Sequence, residues 1–332
     1  MTPLRFVPYH ELGELPNVIV DGGPTPSTRL TLSHWPGSPT PVDLLDDLSA
    51  QIAFRALGRP ELFDGIEAVS NNHFDQDGLA SVFALLEPAA ASARRSLVID
   101  VARAGDFGTF EQRDAIRIAF ALAAFEDPER SPLDPAVLQG GYEEQCGRLY
   151  EALLPRFVQL LDEPDSFRPL WEREDAHLGE SLDAIERGIV RIDEEPDIDL
   201  AVVTVPDDWA ERMTTRFTVG RTDAVHPAAI NQSTGCLRLL QVRGRQYRLE
   251  CRYETWVMFR SRRVQPRPDL RVLAARLDEL EGGARWRADP PGALTPVLRL
   301  DGDSTLAPGE FRSEVEAFLR SAPAAWDPYA AS

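Results

Sequence analysis

The sequence contains no lysine, so all 35 of its basic residues are arginine. This excludes Walker-type phosphate loops, Schiff-base lysines and lysine-adenylating mechanisms, each of which depends on the ammonium group. Cysteine is nearly as scarce: Cys146, Cys236 and Cys251 form no Cys-x-x-Cys pair. Neither a zinc ribbon nor a disulfide scaffold can be built from them, and reduced, structural thiols are expected. Positive charge is short as well, with 54 acidic residues against 35 basic ones and a formal charge of −19. Long duplex DNA and anionic membranes need an electropositive face that such a surface lacks, whereas arginine can still hold a small anion locally. Long apolar runs are missing too. The stretch from Ala115 to Phe125 is short and broken by Arg117, and no charged leader with an apolar core opens the sequence. A cytoplasmic protein without a membrane partner is expected.

What remains is a chain of 332 residues, 43% hydrophobic, able to bury a substantial core in one large or two ordinary domains. Its most informative stretch is Asn71-Asn72-His73-Phe74-Asp75-Gln76-Asp77-Gly78-Leu79-Ala80-Ser81. In an extended segment, His73, Asp75 and Asp77 at i, i+2 and i+4 share one side of the backbone, and Gly78 then permits a sharp turn. After it, Leu79, Val82, Phe83 and Leu86 recur at helical spacing, so the motif falls between a strand over 67–72 and a helix. Open α/β sheets bind ligands at such junctions. One imidazole and two carboxylates suit Mn²⁺, and less specifically Mg²⁺ or Zn²⁺, and the helix N-terminus would favour a phosphate beside them. A calcium loop is excluded: the count puts His73 at its first position and Ala84 where a bidentate Glu belongs.

The pattern His-x-Asp-x-Asp-Gly-x-x-Ser, present as His73, Asp75, Asp77, Gly78 and Ser81, resembles the first motif of the DHH phosphoesterase superfamily. The resemblance covers this motif and its flanking strand and helix. It implies an α/β catalytic domain, Mn²⁺-dependent hydrolysis of short oligonucleotides, cyclic dinucleotides, single-stranded nucleic acid or pyrophosphate, and a C-terminal domain that binds substrate. No Asp-His-His triplet occurs in the chain, so the second half of the ligand set has to come from elsewhere.

Two apolar runs ahead of the motif supply candidates. The sequence predicts strands over 17–21 and 29–34, closing on Asp21 and His34, both able to reach the carboxyl edge of a sheet. A third candidate is Asp106, flanked by Gly105 and Gly108 just beyond a helix expected from Pro88 to Ala104; if 96–100 is a buried strand instead, Asp100 takes its place. Further helices are expected over 44–57, 114–125, 142–161 and 167–187. Composition turns acidic over 191–199, which reads as a linker. Beyond it, strands over 200–205, 236–242, 246–252 and 255–259, with a hairpin turn at Arg243-Gly244-Arg245, and helices over 270–280 and 310–320 predict a mostly antiparallel sheet with helical cover. The domains expected are therefore 1–165, a metal-binding catalytic α/β domain with a mainly parallel sheet flanked by helices; 166–197, a helical and acidic linker; and 198–332, an α+β substrate-binding domain.

The reading that follows is a metal-dependent phosphohydrolase acting on a small nucleotide-like or short oligonucleotide substrate. Two Mn²⁺ ions, or Mg²⁺, would be held by His73, Asp75, Asp77, Asp21, His34 and Asp106, with Asp77 or Asp21 bridging, and Asp77 and His34 would serve catalysis as well. Ser81, His226, Asn231 and Arg252 are the substrate contacts nominated. The arginines alternating through Arg238, Arg243, Arg245 and Arg248 read as a solvated face, and His10 and His177 read as exposed. The alternative is a degenerate DHH-like binding or scaffold protein without catalysis, which the missing triplet favours.

Overall fold

The computed structural model describes residues 4–216, 219–282 and 285–330. The chain is α/β and divides into two units. The first comprises Met1–Ala176 with Met213–Arg221 and Phe259–Ser261; the second comprises His177–Arg212, Thr222–Met258 and Arg262–Ser332.

The first unit is built on strands β1 (Arg5–Phe6), β2 (Asn17–Val20), β3 (Thr28–Leu32) and β4 (Ala68–Ser70), all parallel and ordered β1-β4-β2-β3. Every residue of β2 and β4 is buried, as in a parallel sheet covered on both faces. Helices α1 (Ser49–Ala56), α2 (Gln76–Leu86), α3 (Pro88–Ala93), α4 (Arg95–Asp106), α5 (Arg113–Glu126) and α6 (Tyr142–Asp162) accompany it, followed by α7 (Arg168–Glu186), within which the chain passes into the second unit. Parallel neighbours usually require a crossover of a dozen residues or more, yet β2 and β3 are joined by the short segment 21–27. Asp21 begins that return with a left-handed φ of 47°, a conformation that Asp tolerates better than most residues. Asn17 clamps the other end: its amide donates to Ser27 Oγ (3.0 Å) and its carbonyl accepts from Thr28 Oγ1 (2.8 Å).

The second unit carries β5 (Arg191–Glu195), β6 (Leu200–Val205), β9 (Arg238–Arg243), β10 (Gln246–Cys251), β11 (Arg287–Ala288) and β12 (Val297–Arg299) in the order β11-β12-β10-β9-β6-β5, antiparallel except for β6 with β9. In chain order, β6 and β9 are separated by the two-stranded sheet of β7 (Arg212–Arg216) and β8 (Val219–Asp223), of which Met213–Arg221 belongs to the first unit, and by α8 (Pro227–Ser233) in the second. Helices α9 (Leu270–Glu281) and α10 (Pro308–Ser321) cover one face of the six-stranded sheet. Leu200, Val202, Leu240, Val242, Leu249 and Leu298 pack there against Leu273, Leu277, Phe311 and Val315.

Several local expectations are corrected. The stretch 96–100 is helical, as the expected helix from Pro88 has it, so only the alternative strand there is set aside. The acidic stretch expected to be a linker contributes β5, whose charged side chains suit an exposed sheet edge. Residues 255–259 make no strand; Tyr253–Thr255 is a 3-10 turn. The helix expected from Leu79 starts three residues earlier, at Gln76. Asp77 and Gly78 therefore lie in the first helical turn, and His73, Asp75 and Asp77 do not alternate along an extended segment. Gly78 makes no sharp turn either. It lacks a side chain because a Cβ there would come within 3.0 Å of the Asn71 amide and the Tyr150 hydroxyl.

Candidate metal centre

Three adjacent parallel strands end at one edge of the first sheet, and each delivers one residue just past its carboxyl end: Asp21 after β2, His34 two residues after β3, His73 three residues after β4. This is the edge at which open α/β sheets bind ligands. Asp21 divides its two oxygens between the histidines, with Oδ1 at 3.4 Å from His34 Nε2 and Oδ2 at 3.4 Å from His73 Nε2. His34 Nε2 also lies 3.5 Å from Asp106 Oδ2, and His73 Nε2 lies 2.9 Å from Asp75 Oδ2. Potential ligand atoms of Asp21, His34 and Asp77 all lie within 4.8 Å of one another, and so do those of Asp21, His73 and Asp75. The structure thus brings together His73, Asp75, Asp77, Asp21, His34 and Asp106, with Asp21 common to both triads.

Helix termini fix two of the carboxylates. Asp75 is the N-cap of α2, its Oδ1 accepting from Gly78 N at 2.8 Å. Asp77 accepts from the first residues of α1, with Ser49 N at 2.8 Å on Oδ2 and Ala50 N at 2.7 Å on Oδ1. The positive ends of both helices therefore face the protein's own carboxylates. The N-terminus expected to receive a substrate phosphate near Ser81 already serves Asp75. Ser49 Oγ ties the two halves, donating to Asp21 Oδ1 at 2.7 Å and accepting from His34 N at 3.2 Å.

The His34 ring is oriented by a 2.6 Å contact between Nδ1 and the Asp47 carbonyl oxygen. A carbonyl only accepts, so Nδ1 carries the proton. In a neutral ring, Nε2 then presents its lone pair to Asp21 and Asp106, which when ionised are also only acceptors. Metal-binding histidines are held in the same way, by donating their other ring N–H to a carbonyl. Electrostatics point in the same direction. Asp21, His34, Asp77 and Asp106 are buried, while His73 and Asp75 are partly exposed and form the accessible rim. Burial, followed by the charge of Asp75, pushes the Asp21 carboxyl up. Burial, then Asp21 and Asp75, pushes Asp77 well above its ordinary value. Burial alone would lower the His73 imidazole, but Asp75 and Asp21 hold it well above the usual histidine range. Burial also opposes ionisation of Asp75, yet the adjacent His73 keeps its carboxyl below the usual range. Four carboxylates face at most two imidazolium charges, a deficit that cations would offset, and the oxygen and nitrogen donors suit hard or borderline ions.

The sequence pattern overlooked several neighbours. Trp35 stacks on His73 with 5.3 Å between ring centroids. Glu126 ends α5, and burial, then Asp75, pushes its carboxyl well up, with His73 pulling the other way. Its only sequence signal is a lone acid closing an apolar helix. Asp100, the substitute for Asp106, instead caps α5 by accepting from Gln112 N at 2.7 Å.

Of the nominated substrate contacts, Ser81 is fully buried in α2. His226, Asn231 and Arg252 belong to the second unit and are buried in it. His226 Nδ1 caps α8 by accepting from Ala228 N at 3.1 Å. Arg252 pairs with Glu254 and donates to the carbonyls of Asn231, Thr234 and Cys236, which makes it a structural latch. Arg238 is another, donating to Ile198 O and Pro266 O. His177, expected to be exposed, is 2% exposed and donates to the Ala224 carbonyl. All three cysteines are buried and free, and among the described residues no helix is long and apolar enough to cross a membrane.

No curated protein and no solved structure matches the chain. A family model does match, over residues 2–330, and the chain belongs to that family, the family of unknown function DUF6687.

Proposed function

We propose that the centre at the end of the first sheet binds two divalent cations, Mn²⁺ before Mg²⁺, and hydrolyses a phosphodiester or phosphoanhydride bond in a small nucleotide-like substrate. The observation that carries the proposal is the divided carboxylate of Asp21, one oxygen toward His34 and the other toward His73, each histidine with further carboxylates beside it. This is the arrangement of a ligand shared between two cation positions. One position would be held by His34, Asp77 and Asp106 with Asp21, the other by His73 and Asp75 with Asp21. When bound, such ions lower the pKa of water and neutralise charge on phosphoryl oxygens.

The chain's own residues supply position and access. The Asp47 carbonyl keeps His34 in one tautomer, and Ser49 and Ala50 hold Asp77 through backbone N–H groups, so the buried ligands are rigid before any ion arrives. Substrate approaches from the partly exposed His73 and Asp75 side, where Trp35 stacks on the His73 ring. The acidic surface favours a small substrate over a polymer. The likeness of the His73 to Ser81 motif to DHH phosphoesterases supports the same chemistry.

The test is metal content and turnover. The metal-loaded protein is expected to carry two Mn²⁺ per chain and to cleave members of a panel of small phosphodiesters and phosphoanhydrides, with Asp75→Ala abolishing cleavage. Two bound ions without turnover across the panel would favour the binding-module alternative. Absence of bound metal would overturn both the centre and the reaction.

A further inference from the structure

In the second unit, the face of the six-stranded sheet opposite α9 and α10 carries a row of polar residues in direct register. Gln241 of β9 lies opposite Arg248 of β10, Arg248 opposite Arg299 of β12, and Arg299 opposite Arg287 of β11. The alternation that sends Leu240, Leu249 and Leu298 into the core puts these residues on the other side. Like charges directly opposite each other in a sheet repel, so three successive arginines need an explanation. Beside the row is a cavity of about 180 Å³ whose lining includes Gln241, Arg243, Arg248, Arg299 and Thr222.

The guanidinium groups are not equally committed. Arg243 is a fixed wall: it donates to Glu211 Oε1 at 2.7 Å and to the Asp207 and Trp209 carbonyls. Arg248 gives Nη2 to Glu250 at 3.0 Å, while its Nε–H is buried with no hydrogen-bond acceptor among the described residues. Arg299 reaches Asp289 only at 3.7 Å and is nearly half exposed. Two adjacent guanidinium groups with donor capacity left over, bordered by an amide, form a receptor for a compact oxyanion.

We infer that this cavity is an anion site for a phosphate group, either free phosphate or the phosphate of a small monoester, held by Arg248 and Arg299 with Gln241. The carboxylates of Glu211 and Asp223 in the same lining disfavour larger polyanions. The cavity volume suits the phosphate group, with any organic part of a monoester left outside. The proposal does not rest on the metal centre, whose ligands belong to the first unit.

Isothermal titration of the full chain with inorganic phosphate and, in a second arm, with phosphoserine, both in chelator, tests the inference. Saturable binding in either arm is expected, and the stronger arm identifies the source. Arg299→Gln, a half-exposed change that leaves the core untouched, and Arg248→Gln should each weaken binding by about tenfold or more, the loss expected for one charge-assisted hydrogen bond. Asp75→Asn should bind as wild type does. The inference is overturned if neither ligand binds, if Arg299→Gln binds like wild type, or if Asp75→Asn abolishes binding, which would assign the phosphate to the metal centre.

Discussion

Asp21→Asn is the most discriminating change the structure offers. Asn accepts a left-handed φ as readily as Asp does, so the turn after β2 at φ 47° is kept, and its side-chain oxygen can still accept from Ser49 Oγ. What is lost is one negative charge and one of the two oxygens that face His34 and His73. A ligand binding only the folded state stabilises it by about 2.7 kcal/mol at roughly 100 times its dissociation constant. For a unit of about 150–250 residues, each kcal/mol moves the midpoint by about 2–4 °C, so the wild type should gain roughly 5–11 °C on saturation with Mn²⁺. Differential scanning calorimetry in Mn²⁺ and in chelator would measure this. Asp21→Asn should lose most of the gain while melting in chelator no lower than wild type, because burial and Asp75 already make the Asp21 charge costly. A control change at an exposed acid remote from the centre, Glu61→Gln, should keep the full gain. The reasoning fails if wild type shows no Mn²⁺-dependent shift, or if Asp21→Asn shifts as much as wild type.

Three further predictions concern packing and protonation. Gly78→Ala places a Cβ within 3.0 Å of the Asn71 amide and the Tyr150 hydroxyl, and overpacking of this kind costs about 1–3 kcal/mol; an unchanged urea midpoint would show that the contact relaxes freely. Arg267 is 1% exposed and donates to Thr255 Oγ1 and to the carbonyls of Arg252, Pro291, Ala293 and Leu294. Arg267→Leu should cost at least about 3 kcal/mol in chemical denaturation, and Arg267→Lys should not rescue it, since an ammonium cannot span the same acceptors. His177 is held below its ordinary value of 6.5, by burial first and then by His226 and Arg212, against the Ala224 carbonyl and Asp223. A histidine with a depressed folded pKa contributes fully above the unfolded value and loses that contribution as pH falls below about 6.5, by at most about 1.4 kcal/mol per pH unit. His177→Gln should therefore show a smaller fall in denaturation midpoint between about pH 7.5 and pH 5.5, and an identical fall would mean that other groups carry the dependence.

Strand direction explains what the sequence disclosed, and helix packing much of what it concealed. Residues 17–20 and 28–32 are short apolar runs closed by polar residues, and a parallel sheet turns every such closure into a position on one edge. Asp21, His34 and His73 were legible as partners for that reason, although the last two lie 39 positions apart. Their shared edge needed only strand direction. Groups delivered by helices were another matter. Asp77 reaches the centre through the first turn of α2 and is held by the N-terminus of α1, while Glu126 arrives at the C-terminal end of α5. A helix end meets a site through tertiary packing, which leaves no period in the sequence: Asp77 is nominated from an extended alternation that the helix replaces, and Glu126 is not nominated at all. Arginine concealed most. Alternation along β9 and β10 identifies which residues share a face but not whether that face is covered. Thus Arg238, at the start of β9, and Arg252, just past the end of β10, are buried latches, whereas Arg248, between them on the same hairpin, borders a cavity. With no lysine in the chain, one residue type has to brace carbonyls, offset the acidic surface and receive anions. Telling these roles apart depends on counting the acceptors around each guanidinium, and among these arginines the count leaves buried donor capacity on Arg248.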